Sequence, residues 1–224
     1  MFVGHVGVAL AIGRAERRVN VGVFVVAALL LDLVLWLFVL LGWESVTIPA
    51  NFASTHQPEF VFPYSHGLVA SVLWSSAAGA VAFFAYSTLQ PAKWRAGALV
   101  AAAVFSHWLL DALVHQPELP LLGVGSPRAG IGLWKSSMTT ALVIEAAVLV
   151  VGLYLFLRGS SLSRGRLIAL SVLSLVILAF TVVGMTVAPP PPSALAMAAS
   201  SLLALVLVCA LAYWLGRPTH VGQA

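Results

Sequence analysis

Charge is the scarcest property of this chain: of 224 residues only 8% are charged, eleven Lys or Arg and seven Asp or Glu. Water-soluble domains carry about 25%. So few charges cannot cover a soluble surface of this size, which excludes a conventional cytosolic enzyme, a DNA-binding module and a disordered chain. Cysteine is almost missing too. Cys209 stands alone, so a disulfide framework and a cysteine zinc knuckle are both excluded. No G-x-G-x-x-G, P-loop, G-x-S-x-G or H-E-x-x-H pattern occurs, and no internal repeat stands out, so nucleotide-driven transport has no support.

Apolar length is what the sequence has in abundance, with 61% hydrophobic residues and a mean hydropathy of +1.04. Lipid is therefore the solvent for most of the chain. A bilayer core of ~30 Å needs about 20 helical residues, and six runs reach that length: Val21 to Gly42, Ser65 to Leu89, Ala96 to His115, Ser137 to Leu157, Gly165 to Val187 and Ala194 to Gly216. A seventh run, Phe2 to Gly13, is only about 18 Å long as a helix and should enter the membrane without crossing it. Its first basic residue, Arg14, follows the apolar stretch, unlike a secretory signal, so the segment is expected to be retained. The expected fold is an all-α polytopic membrane bundle of about six transmembrane helices plus this short N-terminal membrane-inserted helix. Residues 1–157 are expected to form a metal-site membrane domain. Residues 158–224 are expected to form a C-terminal two-helix scaffold hairpin or oligomer surface, ending in a short polar tail with His220, to which no role is assigned.

The net charge of +4 does not point to nucleic acid, because the basic residues sit in short clusters between apolar runs. They are topology signals. Arg14, Arg17, Arg18, Lys93, Arg95, Arg158, Arg164, Arg166 and Arg217 fall on one side, which should be cytoplasmic, and only Arg128 and Lys135 fall on the other. The expected location is a bacterial or archaeal cytoplasmic membrane, with the loops 43–64 and 116–136 and the turn at Pro189 to Pro192 outside. Glu44, His56, Glu59 and Glu118 in those loops read most simply as solvated.

Ionisable groups inside a membrane are costly and mark partners or a task. His5, Asp32, His107, Asp111 and Glu145 lie within apolar segments, and His66 and His115 lie at span ends. No Lys or Arg accompanies these carboxylates, so a bound cation is the natural counter-charge. In Ser106-His107-Trp108-Leu109-Leu110-Asp111, His107 and Asp111 are four apart and share one helix face. His115 is a further two turns from His107, about 12 Å along the helix, so it should serve a second metal, a substrate or the interface. A set of imidazoles and carboxylates suits Zn, with Mn or Fe as alternatives. Such an ion lowers the pKa of a water to about 7, making metal-assisted hydrolysis the natural reaction class. By helical rise, His5, Asp32, His107, Asp111 and Glu145 fall at similar depths, whereas His66 starts its helix near the surface.

These residues in this order resemble the inner-membrane metal-dependent hydrolases of the YdjM type over roughly residues 1–157. Gly4-His5, Asp32 within Leu30-Leu31-Asp32-Leu33, Ser65-His66-Gly67 and Ser106-His107 with Asp111 carry the resemblance. The stretches Pro117-Glu118-Leu119-Pro120 and Gly130-Ile131-Gly132-Leu133-Trp134 look like one branch of that family. The same order is similar to the metal core of the zinc-dependent phospholipase C and single-strand nuclease superfamily. That likeness implies Asp32, His66, His107 and Asp111 on the main metal and His5 on a second ion bridged by Asp111, with His115 and Glu145 as candidates for a further one. Val61 and Ala141 stand where many members have His, and Leu31 and Val34 replace the Pro and second Asp of Pro-Asp-x-Asp. One or two ions are therefore expected.

The reading that combines these features is a membrane metal-dependent hydrolase acting on a phosphoester or similar bond of a lipid or lipid-linked substrate. In it the metal is held by His5, Asp32, His66, His107, Asp111 and His115. Glu145 serves as general base, with Asp32 as its catalytic companion, and Arg128 and Lys135 orient an anionic headgroup. Two other readings use the same residues: a metal-ion or proton transporter with a transit site near the midplane, and a buried polar network that only fixes packing.

Overall fold

In the computed structural model, which describes residues 1–90 and 92–217, nearly all regular structure is helical. The tail with His220 lies outside the described residues. In chain order the elements are α1 (Phe2–Ala15), α2 (Val21–Ala28), α3 (Leu30–Leu41), β1 (Ser45–Thr47), α4 (Phe52–Thr55), β2 (Glu59–Val61), α5 (Leu68–Ala85), α6 (Lys93–Val114), β3 (Leu119–Pro120), β4 (Arg128–Ala129), α7 (Leu133–Ser136), α8 (Met138–Gly159), α9 (Arg164–Thr186) and α10 (Ala194–Leu215). Five of them, α5, α6, α8, α9 and α10, are each long and apolar enough to cross a membrane. The all-α membrane bundle read from the sequence is the fold observed. Two small antiparallel ribbons, β1 with β2 and β3 with β4, fold the long loops back over one end of it.

The stretch expected as one straight span, Val21 to Gly42, is instead two helices bent by 49° about Leu29. Neither Pro nor Gly stands at the break. Helices also kink where a side chain inserts into the backbone hydrogen-bond ladder, and here the His107 ring donates from Nδ1 to the Ala28 carbonyl at 2.7 Å. The bend sets Asp32 in the first turn of α3, beside that imidazole.

Helix α1 packs chiefly between α8 and α2, and α10 packs on α2 and α3. The α1 and α8 backbones meet through glycines: a Cβ on Gly152 would strike the Gly7 carbonyl, and one on Gly7 would strike the backbone at Val148 and Leu149. Small residues at such a crossing let two apolar helices gain contact where lipid offers no hydrophobic drive. Past its last turn α1 is held by Glu16, which accepts from Arg18 at 2.7 and 2.8 Å and faces Arg95 of α6 at 3.7 Å. Arg18 holds the Glu16 carboxyl below its usual range, while Arg95 donates to the Ala15 carbonyl. Between this arginine-rich end and the polar residues deeper in the bundle, Leu10, Phe24, Val25, Ala28, Val100 and Val104 are buried, forming an apolar plug.

Candidate metal centre

His107 and Asp111 project from one face of α6, as their spacing requires, with His107 Nε2 3.2 Å from Asp111 Oδ2. His66 joins them from the turn that precedes α5, not from a helix, since α5 begins only at Leu68. That turn carries it down to its partners, so the apparent depth mismatch of the sequence needs no helix tilt. Its Nε2 lies 3.1 Å from His107 Nε2 and 3.4 Å from Asp111 Oδ2. Asp32 Oδ1 completes the set at 3.5 Å from His66 Nε2 and 3.6 Å from His107 Nε2.

The outer nitrogens decide what these inner atoms offer. Ser65 Oγ donates its only proton to Glu44 Oε2 at 2.7 Å, so its 2.8 Å contact with His66 is a hydrogen bond donated by His66 Nδ1. His107 Nδ1 is likewise committed, to the Ala28 carbonyl. In the neutral rings both Nε2 atoms then present lone pairs toward two carboxylate oxygens. Each carboxylate oxygen lies 3.2–3.6 Å from both imidazole nitrogens, and acceptors that close repel unless a cation stands among them. The groups His66, His107, Asp111 and His5, Asp32, His107 each bring their ligand atoms close enough to hold a metal ion.

Asp111 is the hub. Its Oδ2 faces His66, His107 and, at 3.7 Å, His115 Nε2, while Oδ1 faces His5 Nε2 at 3.2 Å and the Met1 amino group at 2.6 Å. The His5 ring stacks on His107 at 3.7 Å and 8°, and both of its nitrogens are buried without a hydrogen-bond partner. Glu145 on α8 is fully buried, and neither of its oxygens has a hydrogen-bond partner. Against side-chain exposures of 2% or less for His5, His66, His107 and Asp111, Asp32 is 21% exposed. The cluster is therefore open at Asp32. It opens onto a cavity of about 280 Å³ whose polar wall is Asp32, His66, Asp111, His115 and Glu145.

Three sequence expectations need correction or narrowing. Glu44 is only 4% exposed rather than solvated, accepting from Tyr64 N, Ser65 N and Ser65 Oγ. Burial pushes its carboxyl up, and those hydrogen bonds oppose the shift. Glu118 is not free either, since it accepts from His115 Nδ1 at 2.6 Å. That bond leaves His115 beside the metal-ligand groups, on the cavity wall, with its ring 4.6 Å from that of Trp134. Arg128 in β4 and Lys135 in α7 are exposed and absent from the cavity lining, where Trp134 stands instead. The sequence carried no signal for Glu44 as an outer partner: it acts across 21 residues of irregular loop, beyond any helical or strand period.

Ser65→Ala removes the acceptor that fixes the His66 tautomer. Losing an outer-shell partner typically costs tenfold to a hundredfold in metal affinity, about 1.4–2.7 kcal/mol. The expected result is a chelator competition curve displaced by that factor with helical content unchanged; unaltered affinity would show that Glu44 and Ser65 do not orient His66.

No protein-family model, curated protein or solved structure matches this chain.

Proposed function

We propose that the protein is a membrane metal-dependent hydrolase that uses a zinc-class ion on Asp32, His66, His107 and Asp111. The reading rests above all on one observation: four inward acceptor atoms on two tautomer-fixed imidazoles and two carboxylates. Five of their six mutual distances run from 3.1 to 3.6 Å. Tetrahedral zinc with bonds of about 2.0–2.2 Å has ligand atoms about 3.3–3.6 Å apart, a spacing that the His66, His107 and Asp111 group approaches, with Asp32 facing the same two imidazoles from the open side. Mn or Fe with a water in a further position suits the same atoms less closely. The opposite turn of Asp111 Oδ1 toward the unpartnered His5 ring supports a second ion there, so one or two are proposed.

Bound at this centre, such an ion would polarise a substrate oxygen and bring the pKa of a water down to about 7. Glu145, unpartnered on the same cavity wall, would take up the proton as general base. Asp32 holds the open side, and His5 and Asp111 keep the ligands on α1 and α6 in register. The substrate proposed is a phosphoester or similar bond of a lipid or lipid-linked molecule, because the cavity lies among apolar helices. The YdjM-type resemblance agrees with this reading, as does an orientation with the loops on the outer face of a bacterial or archaeal cytoplasmic membrane. The apolar plug beneath the cluster favours access from one side over transit to the other.

The test is elemental mass spectrometry on protein purified without a metal-binding tag, alongside His107→Ala. Stoichiometric zinc, manganese or iron that disappears in the variant, with the helical spectrum retained, is the expected result. No transition metal after reconstitution with each of the three would overturn the proposal.

A further inference from the structure

The cavity beside the metal cluster is walled on its far side by the two C-terminal helices, which the sequence marks only as scaffold. Phe180 and Thr181 of α9 and Ser200, Ser201, Ala204 and Leu205 of α10 line it. Phe180 is 61% exposed and Ser200 is also exposed, so these two stand at a mouth rather than in a sealed wall. Each lies six residues in from its helix end, Thr186 for α9 and Ala194 for α10. That is about 9 Å of helical rise. The mouth therefore opens through the flank of two helices of mean hydropathy 2.7 and 2.5, at a level where the surroundings of a membrane protein are acyl chains.

Nearer the loops, Pro58, Phe60, Phe62 and Trp134 line the cavity from β2 and its flanks and from α7, placing an apolar roof between the cluster and the water at that end. Helix α9 touches α8, α1 and α10 sparsely compared with the tight α1 and α8 pair, so the α9–α10 seam is the least consolidated part of the wall. A volume of about 280 Å³ lies at the lower edge of ordinary ligand sites, about 300–1,000 Å³. It holds a headgroup and the first atoms of a chain, and a whole lipid does not fit.

We propose that a glycerophospholipid-class molecule reaches the cluster sideways from the bilayer through the α9–α10 seam, its headgroup entering the cavity while its acyl chains stay in the membrane past Phe180 and Ser200. This rests on the hydrolase reading in one respect: the cavity lining contains no Lys or Arg, and the Met1 amine is paired with Asp111, so the metal is the counter-charge for a phosphate. The C-terminal hairpin is then a substrate passage. Ser200 and Thr181 donate to carbonyls of their own helices, so these two hydroxyls make no hydrogen-bond demand that an acyl chain could not meet.

The experiment uses the full chain reconstituted in phosphatidylethanolamine and phosphatidylglycerol vesicles with a phosphatidylcholine probe bearing a diazirine on the first carbons of one acyl chain, next to the glycerol. After illumination, cross-linked peptides are mapped by mass spectrometry. Enrichment of at least about fivefold on the cavity-side residues Phe180, Thr181, Ser200, Ser201, Ala204 and Leu205 over the lipid-facing positions of the same helices is expected, cut to background by Ala204→Trp and by Ser200→Trp. Leu203→Trp, on the exposed face of α10, should leave it unchanged. An unchanged helical spectrum and a single elution peak confirm that each variant is folded, and metal content is measured separately. Uniform labelling around the bundle, or labelling indifferent to both blocking variants, overturns the passage. Seam labelling by a protein that binds no metal would instead keep the passage and sink the hydrolase.

Discussion

Asp111→Asn is expected to abolish metal binding, with a loss larger than the tenfold to hundredfold that outer-shell changes produce. The carboxylate serves two directions at once, Oδ2 toward His66, His107 and His115 and Oδ1 toward His5 and the Met1 amine. Asparagine keeps the shape and removes the charge. Whichever way its amide turns, an N–H group replaces one acceptor, facing either the metal ligands or the Met1 amine. Binding isotherms for zinc on the apo protein measure the effect directly, and retention of affinity within tenfold would remove Asp111 from the ligand set. His115→Ala in the same assay separates the hub from its neighbour. That imidazole is held by Glu118 and stands outside both ligand groups, so its loss should cost less than tenfold.

Glu145→Gln should leave metal content intact and lower turnover of a cleaved lipid by about 10²–10⁴-fold, the usual contribution of a general base. The side chain is fully buried, and among the described residues neither oxygen makes a well-formed hydrogen bond, so the isosteric amide is expected to leave the fold in place. A base role predicts the loss in kcat with KM little changed. Full activity in the variant would assign the proton to another group, with His115 on the same wall the next to test.

Periodicity made the bundle legible because apolar runs of membrane length have few alternative structures, and the bounds expected for α6, α8, α9 and α10 differ from those observed by about three residues or fewer. The clustering of His5, Asp32, His107 and Asp111 was legible for a related reason: a carboxylate or imidazole in such a run is conspicuous. Two things stayed hidden. The bend at Leu29 coincides with a bond from His107 to Ala28, 79 residues apart along the chain, and nothing in Val25 to Asp32 announces it. Glu44 looked like an ordinary loop carboxylate because only the folded β1–β2 ribbon brings its segment over Ser65. Arg128 and Lys135 were conspicuous as the outer loops' only cations, yet conspicuousness in a loop carries no direction, and Trp134 faces the cavity in their place.

The glycine crossing of α1 on α8 also sets an order of assembly. Helix α1 is synthesised before α8, and its seat, with Gly152 against Gly7, is not made until more than a hundred residues later. A ribosome that has just released α6 has already supplied Asp32, His66, His107 and Asp111, while His5 still lacks the helix that anchors its own. In the proposed centre an ion captured at that moment would meet an unfinished cage, which is completed only when α8 is inserted.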